Sequence, residues 1–102
     1  AMDKSKQTYI LKNVQDLVKK GQYLLTKASE HDAHHLGFSK DDVVEVILRL
    51  TSREFYKSTT EFYAHTIWQD VYKTIRKRIH LYIKFKVMTN ETTIIITSFK
   101  QE

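Results

Sequence analysis

The chain has 102 residues, the size of one domain with a single modest hydrophobic core. It contains no cysteine, which excludes a disulfide framework and a thiolate metal site. No apolar run approaches the roughly 20 residues of a membrane span, and no cleavable signal pattern opens the chain. We therefore expect a single cytoplasmic domain over residues 3–102, with Ala1 and Met2 left over from cloning.

The positive charge is concentrated in the last third of the chain. The net charge is +5, and residues 1–72 hold ten basic and ten acidic side chains, which cancel. Residues 73–102 hold seven basic side chains against two acidic ones, so the whole excess lies there. A basic face of this kind is typical of a protein that binds nucleic acid. A surface that only keeps the protein in solution is the alternative.

The first half of the chain carries helical periodicity. Apolar side chains share one helical stripe over Thr8–Lys20, and Thr26 is placed to cap a second, short helix. Ser39 begins a capping-box pattern that opens the most apolar helix. Gly21 and Gly37 follow helical patterns, where a left-handed C-terminal cap favours glycine. The sequence thus predicts three helices before residue 51.

After Leu50 the periodicity changes to that of strands. Residues 79–88 alternate apolar and polar side chains, which predicts a half-buried strand, and residues 93–100 form a β-branched return strand. Residues 67–75 predict a further strand. Helices followed by antiparallel strands indicate an α+β domain, with the helices packed on one face of a mainly antiparallel sheet. The other face is left to water or to a ligand.

The strand over residues 67–75 has an apolar side that a glutamine interrupts. We predict that Phe55, Phe62 and the side of the strand carrying Ile67 and Val71 build the core. A buried Gln69 without hydrogen-bond partners is costly, so we place it where the strand leaves the core, able to bind a base or a phosphate oxygen. Three aromatic side chains stay undecided between packing and base stacking: Tyr56, Tyr63 and Trp68.

The strand over residues 79–88 is predicted to present a polar row on its outward face: His80, Tyr82, Lys84 and Lys86. Side chains two residues apart share a face, about 7 Å from one another. Neighbouring ammonium groups favour the phenolate form of Tyr82, which makes this residue a candidate for proton transfer. The alternative is a tyrosine that covers the sheet between lysines that keep its edge soluble.

The sequence offers little support for a metal or a cofactor. His31, His34 and His35 share one helix face, but no carboxylate or thiolate obviously completes a ligand set. Motifs that would bind a nucleotide or place a catalytic metal, such as GxGxxG, the P-loop and HExxH, are absent. We expect an activity that uses neither a small-molecule cofactor nor a metal.

Four segments resemble the MqsR family of mRNA-cleaving toxins: FYKS (55–58), HTIWQDVY (65–72), LYIK (81–84) and SFK (98–100). The likeness extends from Leu11 to the end of SFK, and HTIWQDVY is its most specific part. Lys73 and Thr74 follow VY where the family has a proline, and the last hairpin is a few residues longer. The resemblance implies a RelE-like α+β fold and the toxin of a type II toxin–antitoxin system. It also implies ribosome-independent cleavage of single-stranded mRNA at short GC-containing sites.

Carried onto matching positions, the resemblance implies four catalytic residues: Lys57, Gln69, Tyr82 and Lys100. Strand geometry alone already singles out Gln69 and Tyr82, whereas Lys57 gains its role only from the resemblance. Cleavage is expected to use the ribose 2′-hydroxyl as the nucleophile. Three lysines are predicted to hold the RNA backbone: Lys73, Lys84 and Lys86. His65 either shares in proton transfer or stabilises a turn.

The implied partners are mRNA and a cognate antitoxin protein, with no membrane. Two other classes of function remain open on the sequence. A non-catalytic RNA-binding module would use the same basic face without cutting RNA. A protein-interaction domain would instead present its basic segment to an acidic partner.

Overall fold

The computed structural model describes all residues from 1 to 102. The three helices are α1 (Leu11–Lys19), α2 (Lys27–His35) and α3 (Lys40–Arg49), and a 3-10 turn covers Ser52–Glu54. The six strands are β1 (Asp3–Lys4), β2 (Tyr23–Leu25), β3 (Phe55–Thr60), β4 (Trp68–Arg76), β5 (Ile79–Val87) and β6 (Ile94–Gln101). The predicted α+β class is confirmed. No helix has both the length and the apolar character needed to cross a membrane.

All six strands form one sheet in the order β1-β3-β4-β5-β6-β2. Strands β3 to β6 make an antiparallel meander. The two edges are covered by short strands from the N-terminal half, since β1 pairs antiparallel with β3 and β2 pairs parallel with β6. The first half of the chain therefore borders both sides of the sheet that the second half builds. The sequence did not predict β1, because two residues are too few to show a period.

The three helices pack on one face of this sheet around a core of 15 buried residues. Tyr72 lies at its centre: its ring stacks on Phe85 with centroids 5.6 Å apart and meets Phe55 edge-on at 5.5 Å. Burial raises the pKa of the Tyr72 phenol to about 12. Phe55 packs against the core as predicted.

The prediction of which side of β4 faces the core is wrong. Phe62 is 72% exposed and Ile75 is 55% exposed, while Val71 is buried but lies on the sheet face opposite the helices. The register explains the difference, because Tyr72 on β4 pairs with Ile83 on β5, a core residue. Because side chains alternate between the two faces of a sheet, an assignment that is wrong by one residue places every side chain of the strand on the wrong face. The side of β4 that carries Tyr72 is therefore the inner side.

A buried carboxylate decides where α1 begins. Asp70 is fully buried, and it accepts hydrogen bonds from the backbone N–H groups of Thr8 and Tyr9 at 2.9–3.1 Å. These contacts fix the chain before the helix in a non-helical path. The helix consequently begins at Leu11 and not at the predicted Thr8.

The other predicted helix ends are confirmed. The Thr26 side chain accepts a hydrogen bond from the backbone of Ser29 at the start of α2. Ser39 and Asp42 form a reciprocal capping box at the start of α3. Gly21 and Gly37 adopt φ angles of 77° and 89°, the left-handed conformation that favours glycine after a helix.

Candidate functional site

The sheet face opposite the helices, which we call the outer face, carries most of the predicted site residues. Alternate residues of each strand face opposite sides of the sheet, so the residues that do not face the helices point to the outer face. Four strands contribute: Lys57 from β3, Gln69, Val71 and Lys73 from β4, Tyr82, Lys84 and Lys86 from β5, and Thr97, Ser98 and Lys100 from β6. The structure thus brings the four predicted catalytic residues and the three predicted RNA-binding lysines to one surface.

A row of four residues crosses the middle of the outer face. Lys57 pairs with Val71, Val71 with Lys84, and Lys84 with Ser98. Adjacent strands lie about 4.8 Å apart, so the two lysines flank Val71 closely. Val71 is fully buried, which is consistent with aliphatic lysine stems lying over an apolar neighbour.

Lys84 is half-buried at the centre of this row. Burial lowers the pKa of its ammonium group and the charge of Lys100 lowers it further; the charge of Glu61 opposes this effect, and that of Lys57 adds to it. Several positive charges are therefore gathered at the middle of the outer face. An anion placed there would relieve the repulsion between them.

The next row places the Tyr82 phenol between two lysines. Tyr82 pairs with Lys73 on β4 and with Lys100 on β6. The ammonium nitrogen of Lys100 lies 5.2 Å from the centroid of the Tyr82 ring. The predicted proton-transfer group is thus bordered by cationic side chains on both neighbouring strands.

Gln69 is more deeply enclosed than predicted. Its side chain is only 6% exposed, and its Oε1 accepts a hydrogen bond from the hydroxyl of Thr97. Thr97 lies at a register irregularity between β5 and β6, where Lys84 pairs with Ser98 while Phe85 pairs with Ile96. This extra residue supplies the partner that makes a buried glutamine tolerable. The sequence showed the glutamine but not the irregularity.

Three lysines of the outer face are held by carboxylates that sequence analysis missed. The pairs are Lys57 with Asp3, Lys73 with Glu102 and Lys86 with Glu61. The hydrogen bond from Lys57 to Asp3 raises the pKa of that lysine, and the one to Glu102 does the same for Lys73. Lys84 and Lys100 form no ion pair. They are the two ammonium groups of this face that an incoming anion meets without displacing a carboxylate.

A β-bulge positions Tyr56 and Lys57. The register between β3 and β4 shifts between Phe55 and Lys57, which lets Phe55 face the core while Lys57 reaches the outer face. Tyr56 is half exposed, and the ammonium nitrogen of Lys73 lies 3.8 Å from the centroid of its ring. Tyr56 therefore belongs to the rim of the outer face and not to the core.

Trp68 lies on the helix side of the sheet, one residue from Gln69. The ammonium nitrogen of Lys4 lies 4.2 Å from the centroid of its ring, and its backbone carbonyl accepts a hydrogen bond from the Tyr9 hydroxyl. Of the two possible roles for Trp68, the structure therefore favours packing. Tyr63, in contrast, is 94% exposed.

His80 alternates with the core residues of β5 and pairs with Ile75, so it belongs to the outer face as predicted, whereas the other predicted histidines lie on α2 or in a loop. His65 is exposed in the turn between β3 and β4. His31 and His35 stack on α2 with ring centroids 6.3 Å apart. No group of three or more histidine, aspartate or glutamate side chains converges in the way a metal site requires.

The fold and the outer face together define a small α+β domain with one sheet face covered by helices and the other open and cationic. Comparison with known proteins identifies its family. The family described as "Motility quorum-sensing regulator, toxin of MqsA" matches residues 6–101. The mRNA interferase toxin MqsR of Escherichia coli (strain K12) is 37% identical over 92 residues, which cover 90% of this chain and 91% of that protein. The chain belongs to the MqsR toxin family, which confirms the resemblance described above.

Proposed function

We propose that this protein is the toxin of a toxin–antitoxin system and acts in the cytoplasm as an endoribonuclease. Its substrate is single-stranded mRNA, cut at short GC-containing sites without a ribosome or a metal ion, and its protein partner is a cognate antitoxin. Family membership supports the toxin role, and the name of the E. coli relative supports RNA cleavage. The observation that carries the proposal is the gathering of Lys57, Tyr82 and Lys100 around Lys84 on one open face.

The open face suits a single strand of RNA. A flat sheet surface leaves the bases accessible while the backbone phosphates meet ammonium groups. Lys84 and Lys100 offer charges that no carboxylate occupies, and the paired lysines surround them. The phosphate to be cut therefore lies beside the Tyr82 phenol and next to Lys100, and Lys84 holds the adjoining backbone phosphate.

The reaction follows from the chemistry of RNA. The ribose 2′-oxygen attacks the adjacent phosphorus, and the bond from phosphorus to the 5′-oxygen of the next nucleotide breaks. The products are a 2′,3′-cyclic phosphate and a free 5′-hydroxyl. One proton leaves the 2′-hydroxyl, one reaches the departing 5′-oxygen, and negative charge builds on the phosphoryl oxygens in between.

The four predicted catalytic residues and the three RNA-binding lysines then each have a role. Tyr82 transfers one of the two protons, a contribution of about 10²–10⁴-fold. Lys57 and Lys100 stabilise the phosphoryl charge, and a fixed donor of this kind is worth about 3 kcal/mol. Gln69, held by Thr97, orients the phosphate or a base edge. The other three lysines hold the flanking backbone: Lys73, Lys84 and Lys86.

The direct test is cleavage of a defined, protein-free RNA with and without EDTA. We expect wild-type protein to cut in both conditions, and Tyr82→Phe and Lys57→Ala to cut at least a hundredfold more slowly. Lys19→Ala removes an exposed lysine from α1 and should behave as wild type. Cleavage at the wild-type rate by both variants would show that Tyr82 and Lys57 are not catalytic residues. If the wild-type protein bound the RNA without cutting it, the alternative function, a non-catalytic RNA-binding module, would be favoured.

Salt dependence tests the role of the basic face separately. If the five lysines of the outer face each meet a phosphate, affinity for an uncleavable single strand should fall about a hundredfold between 50 and 200 mM salt. A flat salt response would show that the face is not an RNA-binding surface.

A further inference from the structure

The two most exposed large apolar side chains of the protein are neighbours in the loop between β3 and β4. Phe62 is 72% exposed and Tyr63 is 94% exposed. Their rings pack edge to face with centroids 4.7 Å apart. Each ring is only partly shielded by the other, so both present a free surface to solvent. An aromatic pair of this kind needs a reason to stay out of the core, since burying each ring would be favourable.

The loop that carries this pair is closed at its base. The backbone N–H of Glu61 donates to the carbonyl of Ile67 at 3.0 Å, and the N–H of Ile67 donates to Ala64 at 3.0 Å. The Glu61 side chain accepts a hydrogen bond from Lys86 on the outer face. The two rings are therefore held in a loop attached to the sheet and are not on a free segment.

The attachment places the base of the loop, one residue before Phe62, at the border of the outer face. Lys86 lies two residues from Lys84 on the same face of β5, a distance of about 7 Å. Glu61 bonds to Lys86 and directly precedes Phe62 in the chain. A polymer whose phosphates lie on the lysines would thus meet the aromatic pair as it leaves the face.

We infer that Phe62 and Tyr63 form a stacking platform for the unpaired bases of single-stranded RNA bound on the outer face. This inference rests on the proposed function and specifies how the substrate is held beyond the cut phosphate. Charge complementarity selects the occupant, because the loop is attached through Glu61 and Lys86 to a face that carries four further lysines and so favours a polyanion. Every base offers a flat aromatic surface, so stacking holds a strand with little regard to its sequence. Bases paired in a duplex are already stacked and are not available, so the platform favours single strands.

The test measures binding to an RNA that carries 2′-O-methyl groups and cannot be cut. We expect Phe62→Ala and Tyr63→Ala each to weaken binding of the single strand by at least about fivefold. Ile10→Ala is the matched control, because Ile10 is 68% exposed at the start of α1, on the helix side. It should bind as wild type. All three variants should keep the wild-type thermal midpoint, since each removes an exposed side chain.

An abasic scan identifies the contact itself. Removing one base from the RNA should weaken binding to wild type at one or two positions, and the same change should have no further effect on Phe62→Ala. Unchanged RNA affinity in both aromatic variants would overturn the inference. If the same variants bound a purified antitoxin more weakly, the pair would be a protein-binding surface, and the inference would still be overturned. If the wild type cleaves RNA and both aromatic variants bind RNA as tightly as the wild type, this inference is overturned while the proposed function stands. Failure of the wild type to bind RNA would overturn the proposed function as well.

Discussion

The ammonium nitrogen of Lys57 lies 2.9 Å from the carboxylate of Asp3. Asp3 belongs to the edge strand β1, where it pairs with Thr59. Hydrogen bonds from Thr59 and Lys57 lower the pKa of Asp3, so its carboxylate stays charged well below neutral pH. The N-terminal strand therefore places a negative charge beside Lys57, one of the predicted catalytic lysines. An RNA phosphate would have to compete with the Asp3 carboxylate for this lysine.

Replacing Asp3 by asparagine should strengthen RNA binding by up to about fivefold, because Lys57 no longer has an anionic partner in the free protein. The measurement is affinity for an uncleavable single strand at 50 mM salt. Asp41→Asn removes one negative charge from the exposed start of α3 and serves as the control. An equal gain in both variants would mean that net charge, and not the Lys57 contact, is responsible.

Replacing Thr97 by valine should loosen Gln69 and slow cleavage. The substitution removes the hydroxyl that donates to Gln69 and leaves a buried carbonyl oxygen without a partner, a cost of about 1–3 kcal/mol in unfolding free energy. Thermal unfolding and single-turnover cleavage measure the two effects. Thr92→Val, in the exposed turn before β6, should change neither. Full activity in Thr97→Val would show that Gln69 needs no support from β6.

The outer face of β5 was predictable because a strand has a fixed period of two. Alternation over residues 79–88 is enough to turn Tyr82, Lys84 and Lys86 to one side, and the structure places them there. The caps of α2 and α3 were predictable for a similar reason, since the hydrogen bonds at Thr26 and Ser39 join residues three apart. Local geometry determines all of these features.

Features that depend on distant residues were not predictable. The core side of β4 follows from its register with β5, which puts Tyr72 and not Val71 against the helices. The contact between Asp3 and Lys57 joins residues 54 apart in the chain. The irregularity at Thr97 adds a residue that no alternation pattern reveals. These long-range pairings decide which lysines are paired and which remain available to an anion.

Replacing Asp70 by alanine should destabilise the protein by about 2–5 kcal/mol. The buried carboxylate accepts the backbone N–H groups of Thr8 and Tyr9, which would lose their partners. Chemical denaturation measures the loss, and amide hydrogen exchange at these two residues should speed up. Asp32→Ala, at an exposed position of α2, should stay within about 0.5 kcal/mol of wild type. Slow exchange at Thr8 and Tyr9 in the Asp70 variant would contradict the anchoring role.

The lowered pKa of Lys84 predicts a pH dependence of RNA binding. Below that pKa the ammonium group is charged with or without RNA, so affinity does not change with pH. A bound phosphate favours the charged form and raises the pKa in the complex. Between the two pKa values binding must take up a proton, and affinity falls by up to about tenfold per pH unit as pH rises. The decline therefore begins below 10.5, the ordinary value for a lysine.

Lys84→Arg should remove this decline, because a guanidinium stays charged throughout the range. Lys57→Arg is the control: the hydrogen bond to Asp3 already raises the pKa of Lys57, so its replacement should leave the pH profile as in wild type. Affinity for an uncleavable strand, measured between pH 7 and pH 10 for all three proteins, compares them directly. If Lys84→Arg followed the wild-type curve, the alkaline loss would come from another group. Burial at the centre of the outer face would then have no part in how phosphate is bound.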